Sequence, residues 1–143
     1  MTRPATLREA AERIIAGVER GAAIAEFLDT FYVESSAAAR LAMLQSEPPF
    51  TGDARTDALF GAVGQYLAKQ FKLDHVPHWV ADKRWVLAEP WFTTDSDSDA
   101  MREYLSVASP AEFRHYNIFT EPMPLRRARD PRGHYGDGAA PDA

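Results

Sequence analysis

All three tryptophans of this chain, Trp79, Trp85 and Trp91, lie in the stretch from Pro77 to Phe119. The stretch also contains Phe92, Phe113, Tyr116 and Ile118. Aromatic side chains bury large areas and dominate protein cores and interfaces. Because so much aromatic surface is concentrated here, we expect this stretch to fix the packing of the whole chain.

Size and composition indicate a globular protein. The chain has 143 residues, of which 45% are hydrophobic and 26% charged, which is enough for one domain with a proper core. The absence of cysteine excludes a disulfide scaffold, a zinc–thiolate site and a cysteine nucleophile. No apolar run reaches the ~18–20 residues of a membrane helix, and the first residues lack the apolar core of a signal peptide. We therefore expect a cytoplasmic protein with no membrane association.

Apolar residues recur at helical spacing through the first half of the chain. A capping box formed by Thr6 and Glu9 begins the first helix, and Gly21 is expected to end it. A second helix follows, a third covers residues 37–45, and a fourth runs from Ala54 to about Lys72. These patterns predict a helical first half.

Two glycines, Gly61 and Gly64, interrupt the predicted fourth helix. Each costs about 1 kcal/mol relative to alanine inside a helix. They either let another helix or an aromatic ring approach closely, or they are a local weakness without purpose. Close packing is the favoured interpretation.

The second half contains two further helix signals. One helix is predicted from about Asp99 to Ala108, capped by Asp97 or Ser98. Another is predicted to start at Ser109 as N-cap, with proline next and Glu112 completing a capping box.

The predicted fold class is all-α. We expect a single compact helical domain of about six helices over residues 1–126, which includes an irregular Trp-rich segment. From about Arg127 onward, glycine, proline, aspartate and alanine dominate without periodicity, so residues 127–143 are predicted to be a disordered tail.

The charge distribution argues against nucleic acid as the main partner. The net charge is −5, and clustered cations are needed to neutralise phosphates. The predicted second helix offers Glu26, Asp29 and Glu34 on its polar side, not the residue types that read bases in the major groove. A DNA-binding regulator that uses the first two helices and the tail arginines is nevertheless kept as an alternative hypothesis.

Two pairs of residues that contain histidine are candidates for a chemical site. His75 and His78 lie at i and i+3 near Asp74, a spacing at which two imidazoles can share a metal on one helical turn. Pro77 between them disfavours a regular helix, so a metal-dependent enzyme is a further alternative. Glu112 and His115 could form a base–acid pair, but the capping role already explains the glutamate.

No catalytic, metal or cofactor residue is assigned from the sequence. The chain contains no nucleotide-binding glycine-rich motif, no zinc-protease motif and no nucleophile elbow. The aromatic set is either a core or a surface for stacking or protein binding. We favour core for Trp91 and Phe92, and a contact surface for Trp79 and Trp85. The candidate partner-binding residues are Trp79, Trp85, Arg126 and Arg127.

Several short motifs, spread over about residues 20–127, resemble those of a group of small helical proteins. The most distinctive are Pro90-Trp91-Phe92, Ser109–Arg114 and Asn117-Ile118-Phe119. The others are Glu26–Tyr32, Pro48–Arg55 and Trp79-Val80. Members of this group are similar to proteins encoded beside nucleotidyltransferase-type toxins and are presumed antitoxins, some with an added N-terminal DNA-binding module.

This resemblance implies a function in binding a protein partner. Residues 1–20 supply one helix, which is too little for the extra DNA-binding module of the longer members. The resemblance therefore implies neutralisation of a toxin-like protein or binding of another partner protein, without catalysis. No cofactor is expected.

Overall fold

The structure is a computed structural model that describes residues 2–132. Those residues form six α-helices, two short 3₁₀ turns and two strands of two residues each. The helices are α1 (Leu7–Ile15), α2 (Arg20–Val33), α3 (Ala37–Gln45), α4 (Ala54–Gln70), α5 (Asp99–Ala108) and α6 (Ala111–Arg114). The 3₁₀ turns cover His78–Ala81 and Lys83–Trp85, and the strands are β1 (Trp91–Phe92) and β2 (Ile118–Phe119). The predicted all-α class with about six helices is confirmed.

The chain divides into two compact units by its internal contacts. Unit 1 comprises Met1–Pro49 and Leu125–Ala143, and unit 2 comprises Phe50–Pro124. The expectation of one domain over residues 1–126 stays a prediction. Within residues 2–132, no helix combines the length and the apolar character that crossing a membrane requires.

Unit 1 is built from α1, α2 and α3. The α1 helix packs against both of the others, and its N-cap is the predicted one, since the Thr6 hydroxyl accepts the Glu9 N–H at 3.1 Å. The Glu9 carboxylate reaches back to the Ala5 N–H at 2.6 Å. The core consists of side chains that are almost completely buried, among them Leu7, Ala11, Phe27, Phe31 and Leu44.

The first helix ends earlier than the sequence indicated. Gly17, at φ +111°, is the residue that stops α1, and the Val18 N–H bonds to the Arg13 carbonyl at 2.9 Å. A left-handed glycine with this bond is a common helix C-terminus, because glycine has no Cβ penalty there. Gly21, the predicted stop, lies in the first turn of α2, where the Glu19 carboxylate accepts its N–H.

The residues that follow Leu125 fold onto α2. The Tyr32 hydroxyl donates to the Leu125 carbonyl at 2.8 Å, and the Arg127 guanidinium donates to both Asp29 oxygens at 2.9 and 2.8 Å. This pairing holds the pKa of Asp29 below its ordinary value. The buried Asp130 carboxylate accepts hydrogen bonds from both the backbone N–H and the guanidinium of Arg132.

These contacts correct where the predicted disordered tail begins. The tail was expected over residues 127–143, but Arg127 forms a long-range ion pair with Asp29. The Arg132 guanidinium also donates to the Tyr32 hydroxyl at 3.5 Å. A composition bias cannot reveal pairs between residues almost one hundred positions apart. Residues 133–143 lie outside the described part of the chain.

Unit 2 is organised around α4, which packs against both 3₁₀ turns and α6. Gly61 faces the Tyr116 ring and Trp85, and Gly64 faces the Trp79 ring and Val80. The predicted close approach at both glycines is confirmed, because a Cβ at either position would lie within 3.0 Å of a ring atom.

The two short strands pair in parallel, with Trp91 opposite Ile118 and Phe92 opposite Phe119. The Trp91 N–H donates to the Asn117 carbonyl at 2.9 Å. The rings of Phe92 and Phe119 stack with centroids 4.9 Å apart. The strand pair therefore joins the irregular segment to the residues after α6.

The predicted capping box at Ser109 is wrong. Ser109 ends α5, and α6 starts after Pro110 without a side-chain cap. The Ser109 hydroxyl is buried, accepts the Thr120 N–H at 2.7 Å and lies within hydrogen-bonding distance of the Leu105 carbonyl. A distant backbone group therefore uses the oxygen that the local pattern assigned to the helix start.

Candidate functional site

The two tryptophans predicted to contact a partner are core residues of unit 2. Trp79 is 8% exposed and Trp85 is 1% exposed. Their rings meet edge to face at 5.3 Å, and Phe50 stacks on Trp85 with centroids 4.1 Å apart. The expectation that Trp79 and Trp85 form a contact surface is thereby corrected, because neither indole presents appreciable area to solvent.

The aromatic residues expected in the core are more exposed than those expected at the surface. Trp91 and Phe92, predicted to be core, are partly exposed. An arginine covers each ring: Arg55 lies 5.0 Å from the Trp91 centroid, and Arg102 lies 5.1 Å from that of Phe92. Cation–π contacts of this kind hold the guanidinium groups against the rings.

The two candidate arginines belong to the segment that folds onto α2. Arg127 forms the ion pair with Asp29, so its guanidinium is already engaged within unit 1. Arg126 is exposed. A role of either arginine in binding a partner stays a prediction.

Neither the His75–His78 pair nor the Glu112–His115 pair assembles a chemical site in the described residues. His75 Nδ1 lies 3.5 Å from Asp74 Oδ2, and both histidines of the His75–His78 pair are exposed. Among residues 2–132, no three histidine, cysteine, aspartate or glutamate side chains are grouped as metal ligands. Glu112 accepts from Gln70 at 3.3 Å, and the His115 ring packs edge-on against Tyr116.

The feature that sequence reasoning missed is the exposed side of α5. This helix starts as predicted, with the Ser98 hydroxyl accepting the Met101 N–H at 3.0 Å. Leu105 is the one fully buried residue among its ten. A surface helix normally buries a stripe more than 100° wide. The α5 helix therefore buries a narrower stripe than a surface helix normally does.

Three large apolar side chains on α5 face solvent. Met101 is 37% exposed, Tyr104 is 51% exposed and Val107 is 76% exposed. Six such side chains are exposed in residues 2–132, and these are half of them. Side chains three residues apart lie on neighbouring positions of a helix surface. Met101, Tyr104 and Val107 therefore form one continuous surface, called here the α5 apolar face.

Acidic side chains surround the start of the same helix. Asp95, Asp97, Asp99 and Glu103 are all exposed and are called here the acidic edge. The one basic residue in this part of the chain is Arg102, whose guanidinium lies over the Phe92 ring. The α5 apolar face is therefore bordered by net negative charge.

The sequence did contain a signal for this surface. Apolar residues occupy positions 100, 101, 104, 105, 107 and 108, an arc of about 160° at 100° per residue. The sequence alone does not show how much of that arc the core covers.

Comparison with models of known protein families, with curated proteins and with solved structures finds no match to this chain. The resemblance of residues 20–127 to antitoxin-like proteins therefore stays a prediction.

Proposed function

We propose that this chain is a non-catalytic protein-binding module that acts in the cytoplasm. The observation that carries the proposal is the α5 apolar face, formed by Met101, Tyr104 and Val107 on a helix that buries one residue fully. Contiguous exposed apolar surface with a polar rim marks protein–protein interaction sites. Tyrosine is also among the residues that contribute most to binding energy at interfaces.

The partner that we propose is a cognate nucleotidyltransferase-type toxin, which the chain neutralises by covering its active site. The motifs between residues 20 and 127 support this choice by their resemblance to antitoxin-like proteins. The net charge of −5 suits a partner with a basic nucleotide- or RNA-binding cleft. Complementary charge raises the association rate and disfavours wrong partners.

Co-expression with the product of the adjacent gene tests this function. We expect the two proteins to co-purify in a defined ratio, and growth inhibition by the neighbouring protein to be relieved. The control is the neighbouring protein expressed with an unrelated acidic protein of similar size. Absence of a complex together with unrelieved growth inhibition would contradict the proposal.

A further inference from the structure

We propose that α5 is the segment that enters the partner, with its apolar face in an apolar groove and its acidic edge on a basic rim. The partner is a protein whose cleft carries lysine or arginine side chains of the kind that hold phosphate groups. This inference rests on the proposed function and names the surface that performs it.

The helix is held in place by few contacts, which leave its outer side accessible. At its start, Ser98 caps the first turn. At its end, the Ser109 hydroxyl connects the last turn to Thr120, and Leu105 anchors the middle in the core. A ten-residue helix is about 15 Å long. The helix is already formed and capped before any partner binds, and preorganisation reduces the entropy lost on binding.

The apolar face matches part of the spacing used when a helix binds in a groove. Residues at i, i+3, i+4 and i+7 are the anchors in that mode of recognition. Met101 and Tyr104 form an i, i+3 pair, Val107 lies three residues further along, and Tyr104 is at the centre of the face. Energetically dominant residues cluster near the centre of interfaces. Tyr104 is therefore the expected main anchor.

The acidic edge selects the charge of the partner. Asp95, Asp97 and Asp99 precede or begin the helix, and Glu103 lies one turn further along. A second copy of this chain would bring the same acidic groups together, and like charges facing each other across an interface cost several kcal/mol. The charges therefore favour a cationic partner over self-association.

The first experiment measures binding of the full-length chain to the purified product of the adjacent gene by biolayer interferometry. We expect Tyr104→Ala to weaken binding about 30-fold or more, mainly through faster dissociation. The matched control is Val33→Ala, because Val33 is 61% exposed but lies at the end of α2. This control is expected to bind like the wild type.

The second experiment tests whether the acidic edge speeds association with the partner. We expect neutralisation of Asp95 and Asp97 to asparagine to slow association about tenfold at low ionic strength, with a much smaller effect at high salt. Asp99 is left unchanged because its charge stabilises the first turn of α5. The matched control neutralises the exposed Glu26 and Glu47 to glutamine, and its association rate should change less.

The outcomes separate this inference from the proposed function. A complex that forms equally well with wild type and Tyr104→Ala would overturn the role of α5 and leave protein binding intact. The absence of any complex would overturn both. Sedimentation showing a wild-type dimer that Tyr104→Ala converts to monomer would overturn the cationic partner, because a second copy would then occupy the face. Circular dichroism of each variant confirms that its fold is kept.

Discussion

Replacing Gly61 with alanine places a methyl group where α4 contacts two buried rings. The new Cβ would lie 2.7 Å from Tyr116 Cε1 and 2.9 Å from Trp85 Cβ. Tyr116 is 0% exposed and Trp85 is 1% exposed, so neither side chain has solvent to move into. The Trp85 atom is also bonded directly to the backbone, so relief requires the turn that carries it to shift.

Two opposing effects decide the sign of the change. Alanine is better than glycine inside a helix by about 1 kcal/mol. Forcing an extra methyl group into a filled core costs about 1–3 kcal/mol, occasionally more. A shift of Tyr116 also weakens the bond from its hydroxyl to the Val80 carbonyl, which is 2.6 Å long. We therefore expect Gly61→Ala to destabilise the protein by about 1–2 kcal/mol.

Urea denaturation followed by tryptophan fluorescence measures this difference. The matched control is Gly21→Ala in the first turn of α2, where the new Cβ meets only the Glu19 carboxylate, at 3.2 Å. That carboxylate is the end of a flexible side chain, so we expect Gly21→Ala to be neutral or stabilising by up to about 1 kcal/mol. If Gly61→Ala proved as stable as the wild type, the close packing of α4 against the two rings would be refuted.

Further predictions follow from other buried polar groups. Ser109→Ala leaves a buried backbone N–H without its acceptor and should cost about 1–3 kcal/mol in urea denaturation, whereas Ser106→Ala, at an exposed bond, should cost far less. Tyr116→Phe removes one buried hydrogen bond and should cost about 1–3 kcal/mol; a neutral result would contradict that bond. Arg127 lowers the pKa of Asp29, so the ion pair contributes stability above the unfolded pKa of about 3.9, and this stability is lost as pH falls through the lower folded pKa. Arg127→Ala should therefore reduce the loss of stability that occurs as the pH falls below about 5, and an unchanged pH dependence of stability would contradict the pairing.

Helix starts were predictable where the chemistry is local. Thr6, Asp53 and Ser98 each accept an N–H three residues ahead, so a few consecutive residues contain the whole signal. The bounds predicted for α3 and α5 match the structure for the same reason. Ser109 failed because residue 120, eleven positions away, competes for its hydroxyl.

The burial of the tryptophans depends on contacts between residues that are far apart in the sequence. The glycines in α4 were visible, and so were Trp79 and Trp85, but nothing local indicates that one faces the other. The candidate site was therefore assigned to indoles that complete the core. The C-terminal segment was misjudged for a similar reason, since Asp29 and Arg127 are 98 positions apart.

Val107 is the residue of the α5 apolar face that folding requires least. The core of unit 2 is supplied by α4, by the rings it contacts and by Leu105, whereas Val107 remains 76% exposed. Exposed substitutions away from special contacts usually change stability by less than about 0.5 kcal/mol. We therefore expect Val107→Ser to unfold at nearly the same urea concentration as the wild type and yet to weaken partner binding. If Val107→Ser lowered the free energy of unfolding by more than about 1 kcal/mol, Val107 would be needed for folding, and the proposal that α5 is a binding surface would be contradicted.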